Sequence, residues 1–220
     1  MAYIGRTPTP SALTASDITD GIVSNAKLAQ DIISADTALG ATPADTDEFL
    51  VSDAGVLKRM DYSYIKDGIT QADQWRLTAD ISGVDTNADI TSNLSQVSGA
   101  VIGSGMSESS GVFTFPETGV YLVIVRLYFS YIEDDDNTFI GVDLTTDNSS
   151  YTEIDRPGFS QRGDSAANGT TSVGYSFVDV TDTSNVKIKF SAESQSGGTT
   201  FAGSSSTNKT TFSFIRLGAT

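Results

Sequence analysis

The sequence predicts an all-β protein, built as an antiparallel sandwich or jelly roll, and three observations favour this fold class. Short apolar runs follow one another along the C-terminal part of the chain, separated by Gly, Asn and Asp, which is typical of strands joined by turns. Several of these runs alternate apolar and polar residues with a period of two. No segment after residue 70 has the periodicity of an amphipathic helix, so we expect roughly six to ten antiparallel strands there.

The composition excludes several classes of chemistry. The 220 residues contain no Cys and no His, which excludes thiol nucleophiles, imidazole bases and metal sites built on these ligands. The sequence also lacks a glycine motif for binding phosphates, so we expect no cofactor. A formal net charge of −15 without a basic run argues against binding to nucleic acid, since that affinity comes from clustered cations.

Neither a membrane span nor an export signal is predicted. The longest apolar run, Val120–Val125, is far shorter than the ~20 residues that a transmembrane helix needs. The first residues, Met1–Arg6, lack a basic stretch followed by an apolar segment.

Changes in composition predict three parts: a leader at residues 1–40, a stalk at 41–70 and a knob domain at 71–220. The leader is too poor in large apolar residues to form a core alone. It is therefore either disordered or ordered by contact with a partner chain.

The stalk is predicted to be a β-hairpin, because Phe49–Ser52 and Val56–Met60 flank a turn that contains Gly55. An isolated hairpin is marginally stable in water. Three copies of the stalk could bury their apolar side chains against one another, and this predicts a homotrimer. The side chains in question are Phe49, Leu50, Val51, Val56, Leu57 and Met60.

The knob should contain a long central strand at Val120–Tyr131. Its first half is apolar at every position and its second half alternates, which predicts a strand that begins in the core and emerges at the surface. Aromatic residues on strand positions are expected in the core or in a trimer interface. They are Tyr121, Phe129, Tyr131, Phe177, Phe190, Phe212 and Phe214.

An acidic segment follows this strand at Glu133–Asn137. The carboxylates of Asp134, Asp135 and Asp136 are hard oxygen ligands that could hold calcium, and the alternative is a solvated acidic loop. Paired carboxylates also serve glycosidases, but a chain with 28 acidic residues contains such pairs by chance.

Two segments rich in Ser, Gly and Asn, at 155–171 and 191–209, are predicted to be variable loops. Contacts to a receptor are expected from side chains in or near them, unless the loops merely connect strands. These side chains are Tyr151, Arg156, Phe159, Arg162 and Phe201.

The knob resembles a known fold family. Gly111–Pro116, Gly119–Val123 and the closing strand Phe212–Leu217 resemble the globular head of complement and its tumour-necrosis-factor-like relatives, over roughly residues 74–218. The resemblance implies a compact jelly roll that forms tight trimers.

The N-terminal part has a resemblance of its own. Ile4–Pro8, Asp17–Ala29, Asp47–Gly55 and Gln74–Thr78 look like segments of fibre-type proteins from marine bacteriophages, especially those that infect cyanobacteria. This implies a non-enzymatic virion structural protein on the outer surface, either a tail fibre that attaches to the host or a capsid decoration.

The same resemblance implies the partners. The leader would dock on other virion proteins, and the knob could bind a host surface glycan or protein. Two other functions stay open: a secreted lectin-like or adhesin module, and a polysaccharide-degrading spike. Docking is assigned to Tyr3, Ile4, Ile18, Ile22 and Ile33.

Overall fold

A computed structural model of the chain describes residues 14–18, 39–65, 68–84, 86–132, 134–161, 168–195 and 198–220. This part of the chain contains 16 strands and short 3-10 helices at Ala15–Asp17 and Tyr62–Tyr64. The chain divides into two compact units, residues 1–66 and 67–220. All strand pairs among the described residues are antiparallel, so the predicted all-β antiparallel fold class is confirmed.

The described part of the N-terminal unit contains one hairpin, formed by β1 (Glu48–Asp53) and β2 (Val56–Asp61). Ala54 and Gly55 connect the strands with φ angles of 50° and 86°. Two consecutive left-handed residues are typical of the type I′ turn, whose twist matches that of a two-stranded ribbon.

The C-terminal unit packs two sheets of 7 strands each face to face. Sheet I contains β3 (Ala72–Leu77), β4 (Ile81–Ser82), β6 (Leu94–Ile102), β9 (Gly119–Tyr131), β13 (Asn168–Val180), β15 (Thr199–Phe201) and β16 (Thr211–Gly218). Sheet II contains β5 (Ala88–Asp89), β7 (Ser107–Ser109), β8 (Val112–Thr114), β10 (Asp135–Thr145), β11 (Thr152–Asp155), β12 (Gly158–Gln161) and β14 (Lys187–Glu193).

Strand β9 is the centre of sheet I. It pairs with β13 along its whole length, and its other edge pairs first with β16 and then with β15. Beyond β16 lie β3 and then β6. Within the described residues, β9 is the sole strand that pairs with β13, so β13 forms an edge of the sheet.

The core lies between the sheets and uses one face of β9. Every second residue from Tyr121 to Tyr131 is buried, and the residues between them are partly covered or exposed. The prediction that β9 begins buried on both faces was wrong. One face is buried and the other is partly covered or exposed along the whole length of the strand. Val120, Leu122 and Ile124 lie on the outward face although they are apolar.

The number of strands exceeds the prediction, because β4, β5, β7 and β15 are too short to show an alternating pattern. The two segments predicted to be loops also contain strands. β12 pairs with β10, and β15 pairs with β9 and β4. Their Ser- and Gly-rich composition is overridden by backbone pairing with apolar neighbours.

Candidate functional site

The outward face of sheet I carries a continuous set of apolar side chains. Residues opposite one another in antiparallel strands lie on the same face. The strand register therefore places five apolar side chains in one row across β13, β9, β16, β3 and β6. This apolar row consists of Phe177, Leu122, Ile215, Ala72 and Ile102.

A second row runs beside it. Tyr175 lies opposite Ile124, and Ile124 lies opposite Ser213, which is followed by Gln74 on β3. The row is thus apolar near the sheet edge and polar further in. There Gln74 Nε2 donates a hydrogen bond of 3.0 Å to Ser213 Oγ.

The large side chains at the β13 end of both rows are open to solvent. Phe177 is 67% exposed, Tyr175 is 70% exposed, and Val173 on the same strand is 56% exposed. Leu122, Ile124 and Ile215 are partly covered by their neighbours. Contiguous exposed apolar side chains of this kind mark interaction sites on soluble proteins.

Over residues 173–177, strand β13 has the reverse of the usual side-chain distribution. Its outward positions there carry Val173, Tyr175 and Phe177, whereas the inward positions between them are Gly174 and Ser176. The usual distribution returns at the end of the strand, where Val178 and Val180 are buried in the core and Asp179 is exposed. A strand that faces water on one side normally places its polar residues there. Residues 173–177 of β13 therefore present large apolar side chains to solvent.

Phe177 is predicted from the sequence to be a core or trimer-interface residue, and its exposure excludes the core for this ring. Tyr175, Leu122, Ile124, Ile215, Ala72 and Ile102 were not singled out. The sequence shows that Val173, Tyr175 and Phe177 alternate with smaller residues. It does not show that these three side chains face outward, because that depends on the register between β13 and β9.

The hairpin of the N-terminal unit also exposes apolar side chains, and it does so on both faces. Phe49 and Val56 lie on one face, and Leu50 and Leu57 lie on the other. Leu50 is 78% exposed and Leu57 is 73% exposed. Val51 and Met60, also assigned to the stalk interface, are partly covered.

The docking residues predicted in the leader fall almost wholly outside the described part of the chain. Tyr3, Ile4, Ile22 and Ile33 are not described. Ile18 is described and is 49% exposed.

The residues predicted for receptor contact do not form one surface. Phe201 is fully buried, with its ring centroid 5.3 Å from that of Phe129, so it is unavailable as a surface anchor. Phe159 is half-buried and stacks on Phe129. The reason is that β12 and β15 are strands of the sandwich, so both rings pack on its core. Arg162 lies outside the described residues.

Arg156 and Tyr151 belong to the outward side of sheet II. The guanidinium of Arg156 lies 4.2 Å from the ring centroid of Phe139 and binds both carboxylate oxygens of Glu153. The ammonium of Lys189 lies 4.7 Å from the ring centroid of Tyr151. These side chains are held by intramolecular contacts.

The acidic segment after β9 is only partly described. The backbone of Asp135 and Asp136 belongs to β10, so these residues are not in a loop as predicted, and their side chains are outside the described part. Asp134 is exposed. Among the described residues, no group of three or more acidic side chains is placed to hold a metal ion.

A cluster of carboxylates that no sequence pattern predicts lies on sheet II. Ser191 Oγ lies 3.2 Å from Asp143 Oδ2 and 3.0 Å from Glu193 Oε1. Burial raises the pKa of both Asp143 and Glu193 above the usual value, mainly because the charged form loses hydration. Asn87 Nδ2 and Arg156 Nη2 also approach Glu193, at 2.5 Å and 3.5 Å. The cluster is structural in character, because its polar groups bond to one another.

One shallow cavity borders β5 and is lined by Ile81, Val84, Ile90, Asn93 and Ala192, among others. Its volume is about 110 Å³, whereas ligand sites usually exceed about 300 Å³. Within the described part of the chain, no helix is both long and apolar enough to cross a membrane.

Comparison with known proteins agrees with the geometry of the sandwich. The Eiger TNF of S. frugiperda superposes with a TM-score of 0.51 at 13% identity, over 70% of this chain and 96% of that one. The C-terminal unit has the jelly-roll fold of tumour necrosis factor. The fold implied by the resemblance of the knob is thereby confirmed.

Two weaker likenesses involve the globular domain of zebrafish complement 1qA, with a TM-score of 0.44 at 12% identity, and the PRD1 vertex protein P5, with 0.41 at 13%. Each covers 69% of this chain, together with 99% of the complement domain and 100% of P5. No protein-family model matches the sequence, and no curated protein matches it.

Proposed function

We propose that this chain is a non-enzymatic structural protein of a bacteriophage particle and that it assembles as a homotrimer through the outward face of sheet I. The observation that carries the assembly is the reversed distribution over residues 173–177 of β13. Bulky apolar side chains face outward at Val173, Tyr175 and Phe177, and Gly174 and Ser176 face inward between them.

The energetic reason for assembly is the removal of these side chains from water. Burial of a large apolar side chain contributes roughly 1.5–3 kcal/mol. Phe177 and Tyr175 are each about two-thirds exposed in the single chain, so a neighbouring copy that covers them gains most of this amount. The hairpin offers a second contact, because Leu50 and Leu57 are exposed on one of its faces and Phe49 and Val56 on the other.

The place on a virion is supported by the N-terminal segments that look like phage fibre proteins. One of them, Asp47–Gly55, contains β1 and the turn of the hairpin. In this proposal the leader docks on other virion proteins and the jelly roll projects outward as a tail fibre or capsid decoration. Three identical knobs on one fibre would bind a host surface glycan or protein with raised avidity.

The assembly is tested by the mass of the full chain in solution, measured by light scattering after size exclusion. We expect a mass three times the 23.1 kDa of one chain. Phe177→Ser and Tyr175→Ser should shift the mass toward the monomer. Ile154→Ser is the matched control, since Ile154 is exposed on sheet II, and it should leave the trimer intact.

A monomeric wild-type chain at all concentrations would refute the assembly. The location is tested separately, with antibody fragments raised against the recombinant chain and electron microscopy of purified phage particles from the source. Label at the tail or capsid surface supports the virion role, and particles that carry neither the label nor the chain by mass spectrometry exclude it.

A further inference from the structure

Two arginines flank Thr211 at the polar end of the outward face of sheet I. Thr211 on β16 lies opposite Arg126 on β9 and opposite Arg76 on β3. The two guanidinium groups therefore belong to the same face, on strands whose Cα atoms lie about 10 Å apart. Thr211 is only 3% exposed although it faces outward, as expected for a small residue between two long side chains.

This arginine pair, Arg76 and Arg126, begins where the apolar side chains end. On each strand, the row that contains Tyr175, Ile124 and Ser213 lies two residues away from the row that contains Arg126 and Thr211, on the same face of the sheet. Beside the pair, Val173 lies opposite Arg126. The apolar and the cationic parts of the face are thus continuous.

Neither arginine has a carboxylate within ion-pair distance among the described residues. Arg126 Nη1 donates a hydrogen bond of 2.9 Å to the backbone oxygen of Asn208, and Arg76 Nε is buried without an acceptor. In contrast, Arg156, Lys189 and Arg216 of the same unit have acidic partners, and Lys187 bonds to Thr114 Oγ1 and to the Thr183 carbonyl. The chain has 28 acidic residues against 13 basic ones, so two unpaired arginines side by side need an explanation.

We infer that the arginine pair accepts carboxylates of a neighbouring copy of this chain when the outward faces assemble. This inference rests on the proposed self-association. Charge complementarity selects the occupant: each copy carries a net charge of −15, and the pair is a cationic part of a face that also carries the apolar row and the polar Ser213 and Gln74. Like-charged copies repel one another unless cations in the contact offset part of that repulsion.

The pair also has a role that apolar rows cannot fill. Apolar contact is non-directional, so Phe177, Leu122 and Ile215 alone would allow neighbouring copies to slide along the face. An arginine binds a carboxylate through two parallel hydrogen bonds with fixed geometry. Pairing at Arg76 and Arg126 therefore sets the register of the assembly.

The test compares two double variants with the same net charge. Arg76→Gln/Arg126→Gln removes the arginine pair, and Lys187→Gln/Lys189→Gln removes two cations from β14 on the other sheet. The dissociation constant of the full-length assembly is measured by sedimentation equilibrium at 0.1 M and 1 M NaCl. Arg126→Gln is added as a single variant, because Arg126 is exposed and its replacement spares the core.

At 0.1 M NaCl we expect the arginine double variant to raise the dissociation constant about tenfold or more relative to the lysine control. The difference should shrink at 1 M NaCl, where charges are screened within about 3 Å. Arg126→Gln should produce part of the same shift. Circular dichroism shows whether each variant is folded.

Equal dissociation constants for the arginine and lysine variants would overturn the inference while the self-association stands. Retention of the wild type on immobilised dextran sulfate, lost in the arginine variant without a change in assembly, would overturn it in favour of a site for anionic polysaccharides. A wild-type chain that is monomeric at both salt concentrations would refute the proposed self-association and this inference with it.

Discussion

Phe190 and Phe212 stack on each other across the sandwich, with ring centroids 4.2 Å apart and an angle of 27° between the ring planes. Phe190 comes from β14 of sheet II and Phe212 from β16 of sheet I, and both are buried. Phe113 of β8 completes the cluster, with its ring centroid 5.5 Å from that of Phe190. These rings hold the two sheets together, so the outward faces depend on them.

Truncation of one of these rings should destabilise the C-terminal unit strongly. Phe212→Ala is expected to lower the free energy of unfolding by about 3–5 kcal/mol, because it removes apolar contacts and leaves a cavity. Chemical denaturation followed by the fluorescence of Trp75, the one tryptophan of the chain, measures this. Tyr64→Ala is the control, since Tyr64 is 78% exposed and belongs to the other unit. An equal loss in both variants would contradict the role of the stack.

Asp73 should also stabilise the C-terminal unit, because its carboxylate accepts several hydrogen bonds. It is 3% exposed, and its Oδ2 accepts bonds from Trp75 Nε1 at 2.8 Å, Gln96 Nε2 at 2.9 Å and the Met106 amide at 2.7 Å. Asp73→Asn can keep an oxygen toward these donors but removes the charge, and bonds to charged groups are the stronger ones.

We therefore expect Asp73→Asn to cost about 1–3 kcal/mol of unfolding free energy. Gln96→Ala removes one donor of the three, so its cost should be smaller. The emission maximum of Trp75 should also shift in Asp73→Asn, because its indole N–H loses an ionised acceptor. Wild-type stability and emission in Asp73→Asn would contradict a stabilising role for these three hydrogen bonds.

Local pattern was sufficient for the elements that carry their own signal. The hairpin β1–β2 was predicted because Gly55 interrupts two apolar runs. Strand β14 was predicted because Ile188 and Phe190 alternate with lysines. The two strands of the hairpin are adjacent in the sequence, and the residues of β14 alternate strictly with a period of two.

The candidate site could not be predicted in the same way, because long-range register builds it. The apolar row joins Phe177, Leu122 and Ile215 with Ala72 and Ile102, residues from five strands that are distant in sequence. A shift of one residue in any pair would turn the side chains to the other face. The sequence shows apolar strands, and pairing alone decides which of their side chains remain outside.

Gly141 should tolerate no side chain. A Cβ atom there would lie 2.5 Å from Ser191 Oγ and 2.7 Å from Glu193 Oε1. Gly141→Ala must displace the buried Glu193 from its partners, and we expect a loss of about 1–3 kcal/mol in thermal or chemical unfolding. Gly218→Ala is the matched control, because nothing lies within 4 Å of its added Cβ. A neutral Gly141→Ala would mean that the carboxylate cluster is loosely held.

The pKa of Asp143 predicts an unusual pH dependence. Burial raises this pKa, and Asp89 and Glu153 raise it further, against the opposing effects of Ser191 and Lys189. The folded state then binds a proton more readily than the unfolded state, so the contribution of Asp143 to stability increases as the pH falls through the raised pKa. Asp143→Asn should be more stable than wild type at pH 7, by no more than about 1 kcal/mol, and the gap should close toward pH 4.

Asp147 provides a control of opposite sign. Backbone amides of Ser149 and Ser150 donate to its carboxylate and lower its pKa. Its contribution is present above the unfolded pKa and is lost as the pH falls, so Asp147→Asn should be less stable than wild type at pH 7. Thermal unfolding from pH 2 to 8 measures both variants, because the contribution of Asp147 is lost only as the pH falls below the unfolded pKa of about 4. If the two gaps changed with pH in the same direction, local environment would not govern these carboxylates.

The turn of the hairpin is the place where one substitution should strengthen the N-terminal unit. Ala54 has a φ of 50°, in a region that Ala occupies at a cost and Asn occupies readily. Because Asn-Gly is a preferred pair for a type I′ turn, Ala54→Asn should favour the paired state of β1 and β2. Gly55 has a φ of 86°, so Gly55→Ala should have the opposite effect.

Hydrogen exchange of the full chain, read by mass spectrometry on peptides from 48–61, distinguishes these outcomes. We expect slower exchange in Ala54→Asn and faster exchange in Gly55→Ala, with unchanged exchange in peptides from β9 and β16. If Ala54→Asn leaves the exchange unchanged while Gly55→Ala accelerates it, contacts outside the turn already keep β1 and β2 paired. The exposed Leu50 and Leu57 would then be covered by neighbouring copies, and dilution below the dissociation constant of the assembly should restore the effect of Ala54→Asn.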